Sequence, residues 1–239
     1  MKKTLVLAFL GLVACGMSVA NAQEVLINGK FNDLEPGGTQ QFGQTPTGWT
    51  VVASRGADLA YQDLLASEGF PDVDGGGSGL FFKAFTGNPP WDPTAGDVDG
   101  SIYQDNPGTP GMKYILTGFF GAEANYSGLN TPGGQSILAL DFLGAGDTLI
   151  GSAELDLEAA GLGGPNPGLN YEEFMLMATA PAGTVEVRTR ITMLDGVFFQ
   201  DPGQAFVADC LSLRCVPEPT TALLAGLALV GLVVRRRSA

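Results

Sequence analysis

Histidine is absent from the 239 residues of the chain. Its absence excludes catalysis by a Ser-His-Asp or Cys-His arrangement and excludes zinc held by imidazole. A hydrolytic enzyme of this composition would have to use carboxylates, as glycosidases do with two acids about 5–10 Å apart. Three pairs of acids are close in sequence: Glu172 with Glu173, Glu154 with Asp156, and Asp97 with Asp99. No pattern favours any of these pairs, so we expect a protein that is not an enzyme.

Basic residues are scarce through most of the chain. Residues 23–219 contain all 25 acids but only seven lysines and arginines, which gives this part a charge of 7 − 25 = −18. Such a surface repels phosphates, which argues against nucleic acid as a partner. A segment of just under 200 residues is long enough for one β-sandwich with a sizeable core.

Cysteine is also scarce. After residue 22 the chain has only Cys210 and Cys215. Five residues of extended strand would separate their Cα atoms by about 16 Å, whereas a disulfide needs less than about 7 Å. A bridge therefore requires the chain to turn back within 211–214. Two thiols, or thiols paired between molecules, are an equally open alternative.

The apolar runs are short, and they lie at the two ends of the chain. Lys2 and Lys3 precede the run Leu5–Val13, and Ala20-Asn21-Ala22 follows as a small-x-small cleavage site. This order predicts a secretory signal peptide over 1–22 that is cut after Ala22. Lipidation at Cys15, after a lipobox-like Leu12-Val13-Ala14, is the alternative. We favour the cut after Ala22, because the signal before Cys15 would be very short.

The last two dozen residues carry three signals in order. Pro217-Glu218-Pro219 cannot continue a helix, Thr220–Val234 is apolar and uncharged, and Arg235, Arg236 and Arg237 follow. The apolar run is shorter than the roughly 20 residues that cross a bilayer core of about 30 Å. The arginines are expected to stay in the cytoplasm, which places the rest of the chain outside.

This C-terminal order resembles the PEP-CTERM sorting signal of Gram-negative bacteria, over residues 216–239. The resemblance implies that the inner membrane holds the chain briefly. It also implies that an exosortase-type protease then cuts beside the Pro-Glu-Pro motif, so that the protein passes to the cell surface or the extracellular matrix. An ordinary membrane anchor that is never cut is the alternative.

Residues 23–215 read mostly as short strands separated by turns. Gln135–Phe142 and Thr148–Leu157 predict a strand pair around a glycine-rich turn. In Thr184–Met193 apolar and polar residues alternate, as in a half-buried antiparallel strand. Ala57–Ser67 predicts a short helix from an i, i+3, i+4 face. About ten strands with Gly/Pro turns indicate an all-β antiparallel sandwich of the jelly-roll type.

The order of these segments resembles that of galactose-binding-like jelly rolls, which include many carbohydrate-binding modules. The segments that carry the resemblance are Leu26–Phe31, Thr47-Gly48-Trp49, Ser101–Gln104, Pro110–Tyr114, Ala180–Arg188 and Asp209–Leu213. The resemblance implies a surface or matrix protein that binds extracellular polysaccharide. Because a shared fold does not fix a function, a purely structural surface protein remains the alternative.

Such modules often hold a structural calcium ion where their first and last strands meet. The resemblance places this site at Asp209 and at Asn32, with Asp33 beside it. Asn32 replaces the usual acid, and an amide oxygen can bind calcium without contributing charge. In the alternative, Asp209 accepts hydrogen bonds from backbone groups in a turn.

A sugar site needs an exposed aromatic ring with polar groups around it. Trp91, with Asp97 and Asp99 nearby in sequence, is the candidate, and its alternative is an aromatic anchor packed on the sandwich. Tyr103, Phe119 and Tyr126 are further available rings. Trp49 adjoins a β-branched run and is expected in the core.

Overall fold

A computed structural model describes residues 22–31, 45–53, 57–63, 78–84, 98–130, 132–164, 170–197 and 205–216. These residues form eleven strands and a single helical turn, α1 (Ser127–Asn130). The strands are β1 (Gln23–Glu24), β2 (Thr50–Ala53), β3 (Ala57–Asp63), β4 (Ser78–Ala84), β5 (Val98–Pro107), β6 (Lys113–Ala122), β7 (Gln135–Leu143), β8 (Leu149–Asp156), β9 (Glu172–Thr179), β10 (Glu186–Gly196) and β11 (Ala205–Val216). The expected all-β class is confirmed.

Two antiparallel sheets build the sandwich. One has the order β3-β4-β11-β6-β9, with β1 also paired to β11, and the other has the order β2-β5-β10-β7-β8. Neighbours in each sheet are mostly distant in sequence, as in a jelly roll. The expected hairpin of β7 and β8 is present, with Leu140 opposite Ala153.

Side-chain alternation places one face of each sheet in a shared core. On β10, Val187, Ile191 and Met193 are fully buried and pack with Leu138 and Leu140 of β7. The strand predicted at Thr184–Met193 is therefore confirmed, including which of its faces is buried. The other sheet contributes aromatic residues to the same core, such as Phe82, Tyr114, Phe120 and Phe206, and Trp49 is buried in this core as expected.

A β-bulge on β11 makes a backbone hydrogen bond to the segment 22–31. Two residues of β11, Cys210 and Leu211, lie opposite the single residue Gly118 of β6. Cys210 has a positive φ of 51°, and Leu211 N–H donates to Gly29 O at 2.8 Å. A Cβ atom on Gly29 would lie 2.1 Å from Leu211 O, so the backbones can approach this closely only because residue 29 is glycine.

The two ends of the sandwich differ in what they hold. β1 begins and β11 ends at the same end of the sandwich, since Gln23 pairs with Cys215 and Val216 pairs with Lys113. We call this end the proximal end. The connections 108–112, 144–148 and 180–185 lie there. The distal end holds the strand termini that are joined by 54–56, 85–97, 123–134, 157–171 and 197–204.

The structure contradicts one expectation from the sequence and decides between two alternatives that the sequence left open. The helix expected at Ala57–Ser67 is wrong, because residues 57–63 form β3 and pair with β4; pairing to an already buried strand outweighs a weak helical pattern. Cys210 and Cys215 form no disulfide, since β11 runs on from one to the other without turning back.

Candidate outer-face site

Polar and charged side chains cover the solvent side of the sheet β2-β5-β10-β7-β8. Their strand neighbours Ile102, Val187 and Ile191 point into the core and are fully buried, so the residues between them point outward. We call this surface the outer face. It comprises Val52, Asp99, Ser101, Tyr103, Asp105, Asp141, Ser152, Glu154, Arg188, Arg190, Thr192 and Leu194.

Arg188 is fixed by two neighbours on β5. Its Nε and Nη2 donate to the two oxygens of Asp105 at 2.7 and 2.8 Å, and its guanidinium lies 3.9 Å from the ring centroid of Tyr103. The hydrogen bonds to Asp105 raise the pKa of Arg188, against the effect of its burial. A planar cation stacked on an aromatic ring is thus held rigidly at the surface.

Arg190 binds two carboxylates on two neighbouring strands. It donates to Asp141 of β7 at 2.8 and 3.2 Å and to Glu154 of β8 at 2.8 Å. A further bond of 3.0 Å goes to Thr192 Oγ1. The planar fork of arginine suits this arrangement, because Nε and Nη2 together bind Asp141 while Nη2 also donates to Glu154.

Asp141 remains a carboxylate although its side chain is only 8% exposed. Burial by itself raises the pKa of Asp141, but hydrogen bonds from Arg190 and from Ser152, the latter at 2.6 Å, outweigh it. The net effect is a pKa below the usual value. The outer face therefore offers fixed donors on the arginines and fixed acceptors on the acids.

A depression of about 370 Å³ lies on the outer face between β2, β5 and β10. Aliphatic carbon from Val52 and Leu194 lines it, together with Asp99, Gly100, Ser101, Arg190 and Thr192. Val52 is 54% exposed, an unusual exposure for a β-branched residue within a sheet. The volume falls in the range of about 300–1,000 Å³ that is typical of small-molecule sites.

Of the sugar-site residues expected from sequence, the structure places Asp99 in this depression. Asp99 Oδ1 accepts the Asp195 N–H at 3.0 Å. Trp91 and Asp97 lie outside the described residues.

Two of the aromatic rings that the sequence offered for sugar binding, Tyr126 and Tyr103, differ in their exposure. Tyr126 is only 1% exposed and its hydroxyl is hydrogen-bonded to Ser136 Oγ at 2.7 Å, so its expected availability to a sugar is wrong. Tyr126 instead packs in the core on Phe206. Tyr103 is on the outer face, half-buried beneath Arg188.

Arg188 and Arg190 are the functional candidates that the sequence reasoning missed. Two features of the sequence pointed to these arginines. They are two of only seven basic residues in 23–219, and the alternation of Thr184–Met193 already placed both on the exposed side of their strand. Their carboxylate partners on β5, β7 and β8 depend on strand order, which the alternation does not give.

Asp209 lies where the calcium site was expected, at the meeting of the first and last parts of the chain. It directly precedes the bulge that binds Gly29, is fully buried, and accepts the Cys210 N–H at 2.6 Å. Asn32 and Asp33 lie outside the described residues. Among the residues that are described, no group of three potential metal ligands occurs, so the predicted site depends on residues 32 and 33 or on backbone oxygens.

A second group of polar residues lies inside the distal end. Glu158 accepts hydrogen bonds from Ser136 N–H and Oγ–H, both at 2.7 Å, and Ser136 Oγ is also bonded to Tyr126. Burial raises the pKa of Glu158 despite these bonds. This carboxyl group fastens the connection after β8 to the start of β7.

Residues 216–237 match the family described as PEP-CTERM protein-sorting motif. The chain therefore carries the sorting motif expected at Pro217, Glu218 and Pro219, which indicates export and C-terminal processing. Only Val216 of this region belongs to the described residues. The described part of the chain contains no helix long and apolar enough to cross a membrane.

No curated protein matches the sequence. Among solved structures, a cyclase from Fischerella sp. TAU is similar at 17% identity and a TM-score of 0.52, covering 84% of this chain and 100% of that one. The enzymatically active domain of bacteriophage CBA120 tailspike protein 4 is similar at 9% identity and a TM-score of 0.51, over 81% of this chain and 21% of that one. This chain thus spans about a fifth of that tailspike domain, and both likenesses concern the fold alone.

A carbohydrate-binding module, TmCBM61 in complex with β-1,4-galactotriose, is similar at 11% identity over 80% of this chain and 97% of that one. Its TM-score is 0.44, too low for its ligand to bear on this chain. The jelly-roll architecture itself agrees with the galactose-binding-like class expected from the sequence.

Proposed function

We propose that the protein is a non-enzymatic surface or matrix protein that binds extracellular polysaccharide on its outer face. The observation that carries the proposal is the pair Arg188 and Arg190, each fixed by carboxylates, beside Tyr103 and the depression. A sugar ring has hydroxyl groups that both donate and accept, together with an apolar C–H face. Fixed guanidinium and carboxylate groups meet the hydroxyls, and the aliphatic carbon of Val52 and Leu194 meets the C–H face.

The sorting motif supports the location of this activity. In our proposal the chain is exported through the inner membrane, cut by an exosortase-type protease, and passed to the surface or matrix, where polysaccharide is abundant. A bound calcium ion at Asp209 with Asn32 or Asp33 would brace the first and last strands, and it has no part in binding the sugar.

The chemistry of the acids supports binding rather than hydrolysis. A glycosidase needs one carboxylic acid that keeps its proton near neutral pH. On the outer face the pKa of Asp141 is lowered, not raised. Glu158 has a raised pKa, but its oxygens are occupied by Ser136 at the distal end.

The test is a binding panel with the purified protein, including soluble neutral and acidic polysaccharides, measured by retardation in polysaccharide-containing gels. Arg188→Gln should abolish retardation by the binding polymer, whereas Arg214→Gln, on an exposed arginine of the other sheet, should not. Release of reducing ends from the same polymers is measured in parallel. Retardation by no polymer favours the purely structural alternative, and reducing-end release favours an enzyme.

A further inference from the structure

Three connections at the proximal end are poor in charge. The connections 108–112, 144–148 and 180–185 together contain one charged residue, Asp147. The connection 64–77 joins the ends of β3 and β4 that point away from the distal end, and it contains three acids, Glu68, Asp72 and Asp74. The low charge therefore belongs to the three connections and not to the whole end.

Large apolar side chains are exposed at this same end. Leu149 is 59% exposed, Val185 48% and Ile150 38%. They belong to one surface, because Leu143 pairs with Leu149 on one side and accepts the Val185 N–H at 2.8 Å on the other. Contiguous exposed apolar residues rimmed by polar ones indicate an interaction site.

Backbone hydrogen bonds make the proximal end rigid. Gly108 N–H donates to Val185 O at 2.8 Å, and Gly111 N–H donates to Ala180 O at 2.9 Å. Gly144 N–H closes the turn of β7 and β8 by donating to Thr148 O at 2.8 Å. The apolar side chains therefore stand on a fixed platform rather than on independent loops.

The sorting motif joins the sandwich at this end. β11 ends at Val216, opposite Lys113, and the apolar run begins at Thr220. Four Cα steps of at most about 3.6 Å limit the distance from Val216 to Thr220 to about 14 Å. Any membrane that takes up the apolar run therefore lies next to the proximal end while the chain is uncut.

We propose that the proximal end is a membrane-facing surface, on which Leu149, Ile150 and Val185 enter the lipid interface while the sorting motif holds the chain. The low charge of the three connections limits repulsion from anionic lipid headgroups, and the half-buried Lys113 and the exposed Arg214 near the end of β11 are attracted to them. The contact orients the sandwich so that its distal end points away from the membrane. This inference is independent of polysaccharide binding.

Fluorescence quenching by brominated lipid tests the contact. The full-length protein is reconstituted into vesicles of phosphatidylethanolamine and phosphatidylglycerol with or without bromine on the acyl chains. Leu149→Trp adds a fluorophore at the proximal end, and the unmodified protein gives the background from Trp49 and Trp91. The matched control is Met175→Trp, since Met175 is 54% exposed on the side of the sandwich.

Bromine should lower the added emission at position 149 by about twofold or more, as for a side chain that reaches the acyl boundary, and should leave position 175 unchanged. Val185→Trp should respond like Leu149→Trp, which guards against a local effect of one substitution. Equal quenching at positions 149 and 175, or none at 149 and 185, would overturn the proposal. If the emission at position 149 is not quenched but shifts to the blue as the protein density in the vesicles rises, the surface contacts a second copy of the protein. That result would also overturn the proposal.

Discussion

The side chain of Gln104 hydrogen-bonds both the backbone N–H and the backbone carbonyl of Ile27, as a neighbouring strand would. Ile27 lies 77 residues earlier in the sequence. Gln104 Oε1 accepts the Ile27 N–H at 2.8 Å, and its Nε2 donates to Ile27 O at 2.8 Å and to Gly48 O at 3.0 Å. Gln104 is only 4% exposed. One buried amide thereby holds two segments against β5, and hydrogen bonds from Asn28 Nδ2 to Thr47 O and from Trp49 Nε1 to Asn28 O join these segments to each other.

We expect Gln104→Leu to destabilise the protein by about 1–3 kcal/mol, because it removes three hydrogen bonds from a buried amide to the backbone of Ile27 and Gly48. The control Gln135→Leu, at an exposed glutamine that donates to Asp156, should change stability by less than about 0.5 kcal/mol. Urea-induced unfolding measures both. Equal effects of the two substitutions would contradict the role assigned to Gln104.

Asp141 should give a stability contribution that depends on pH. Its folded pKa is lowered from 3.8, so the contribution is full above the unfolded pKa and is lost as the pH falls through the folded pKa. Asp141→Asn should therefore cost about 2–3 kcal/mol near pH 7. The difference from the unmodified protein should shrink as the pH falls below about 4. Melting curves from pH 7 to pH 3 measure it, and a difference that does not vary with pH would refute the account.

Calcium should raise the melting temperature if Asp209 and residue 32 or 33 hold an ion. Binding to the folded state alone stabilises it by about 2.7 kcal/mol when calcium is at a hundred times its dissociation constant. Asp209→Ala should abolish the increase, and Glu173→Ala, at an exposed acid of β9, should preserve it. Identical melting in calcium and in chelator would rule the ion out.

The sorting motif predicts a processing defect. Changing Pro217 and Glu218 to Ala should leave full-length protein in the inner membrane, because the sorting protease loses its recognition site. Pro110→Ala, at an exposed proline of a proximal connection, should be sorted normally. Fractionation followed by mass measurement of the product decides between these outcomes. A Pro217/Glu218 variant found at the surface with the normal mature mass would disprove sorting by this motif.

Local patterns in the sequence correctly predicted those strands, turns and buried residues that depend only on neighbouring residues. The alternation in 184–193 gave β10 and its buried face, the turn around Gly144 gave the β7–β8 hairpin, and the β-branched run beside Trp49 gave a core aromatic. In each case burial of an apolar face or the geometry of one turn decides the result, and both can be read from neighbouring residues.

Pairings between distant strands were not predictable in this way. The helix expected at 57–67 failed because β4, about twenty residues later, offers a pairing edge that no local pattern reveals. The outer face was missed for the same reason: Arg190 meets Asp141 and Glu154 only because β10, β7 and β8 are neighbours. Tyr126 is buried because it packs on Phe206 of β11, which lies about eighty residues later in the sequence.

The most direct test of polysaccharide binding on the outer face is to fill the depression without removing any of its ion pairs. Ser101 lines the depression and is half-buried on β5, and Thr117 is its matched control, half-buried on the outward side of β6 in the other sheet. Calorimetric titration with the polysaccharide that binds the unmodified protein should show at least about a tenfold loss of affinity for Ser101→Phe, equivalent to about 1.4 kcal/mol, and none for Thr117→Phe. Full affinity in a folded Ser101→Phe protein would contradict the account.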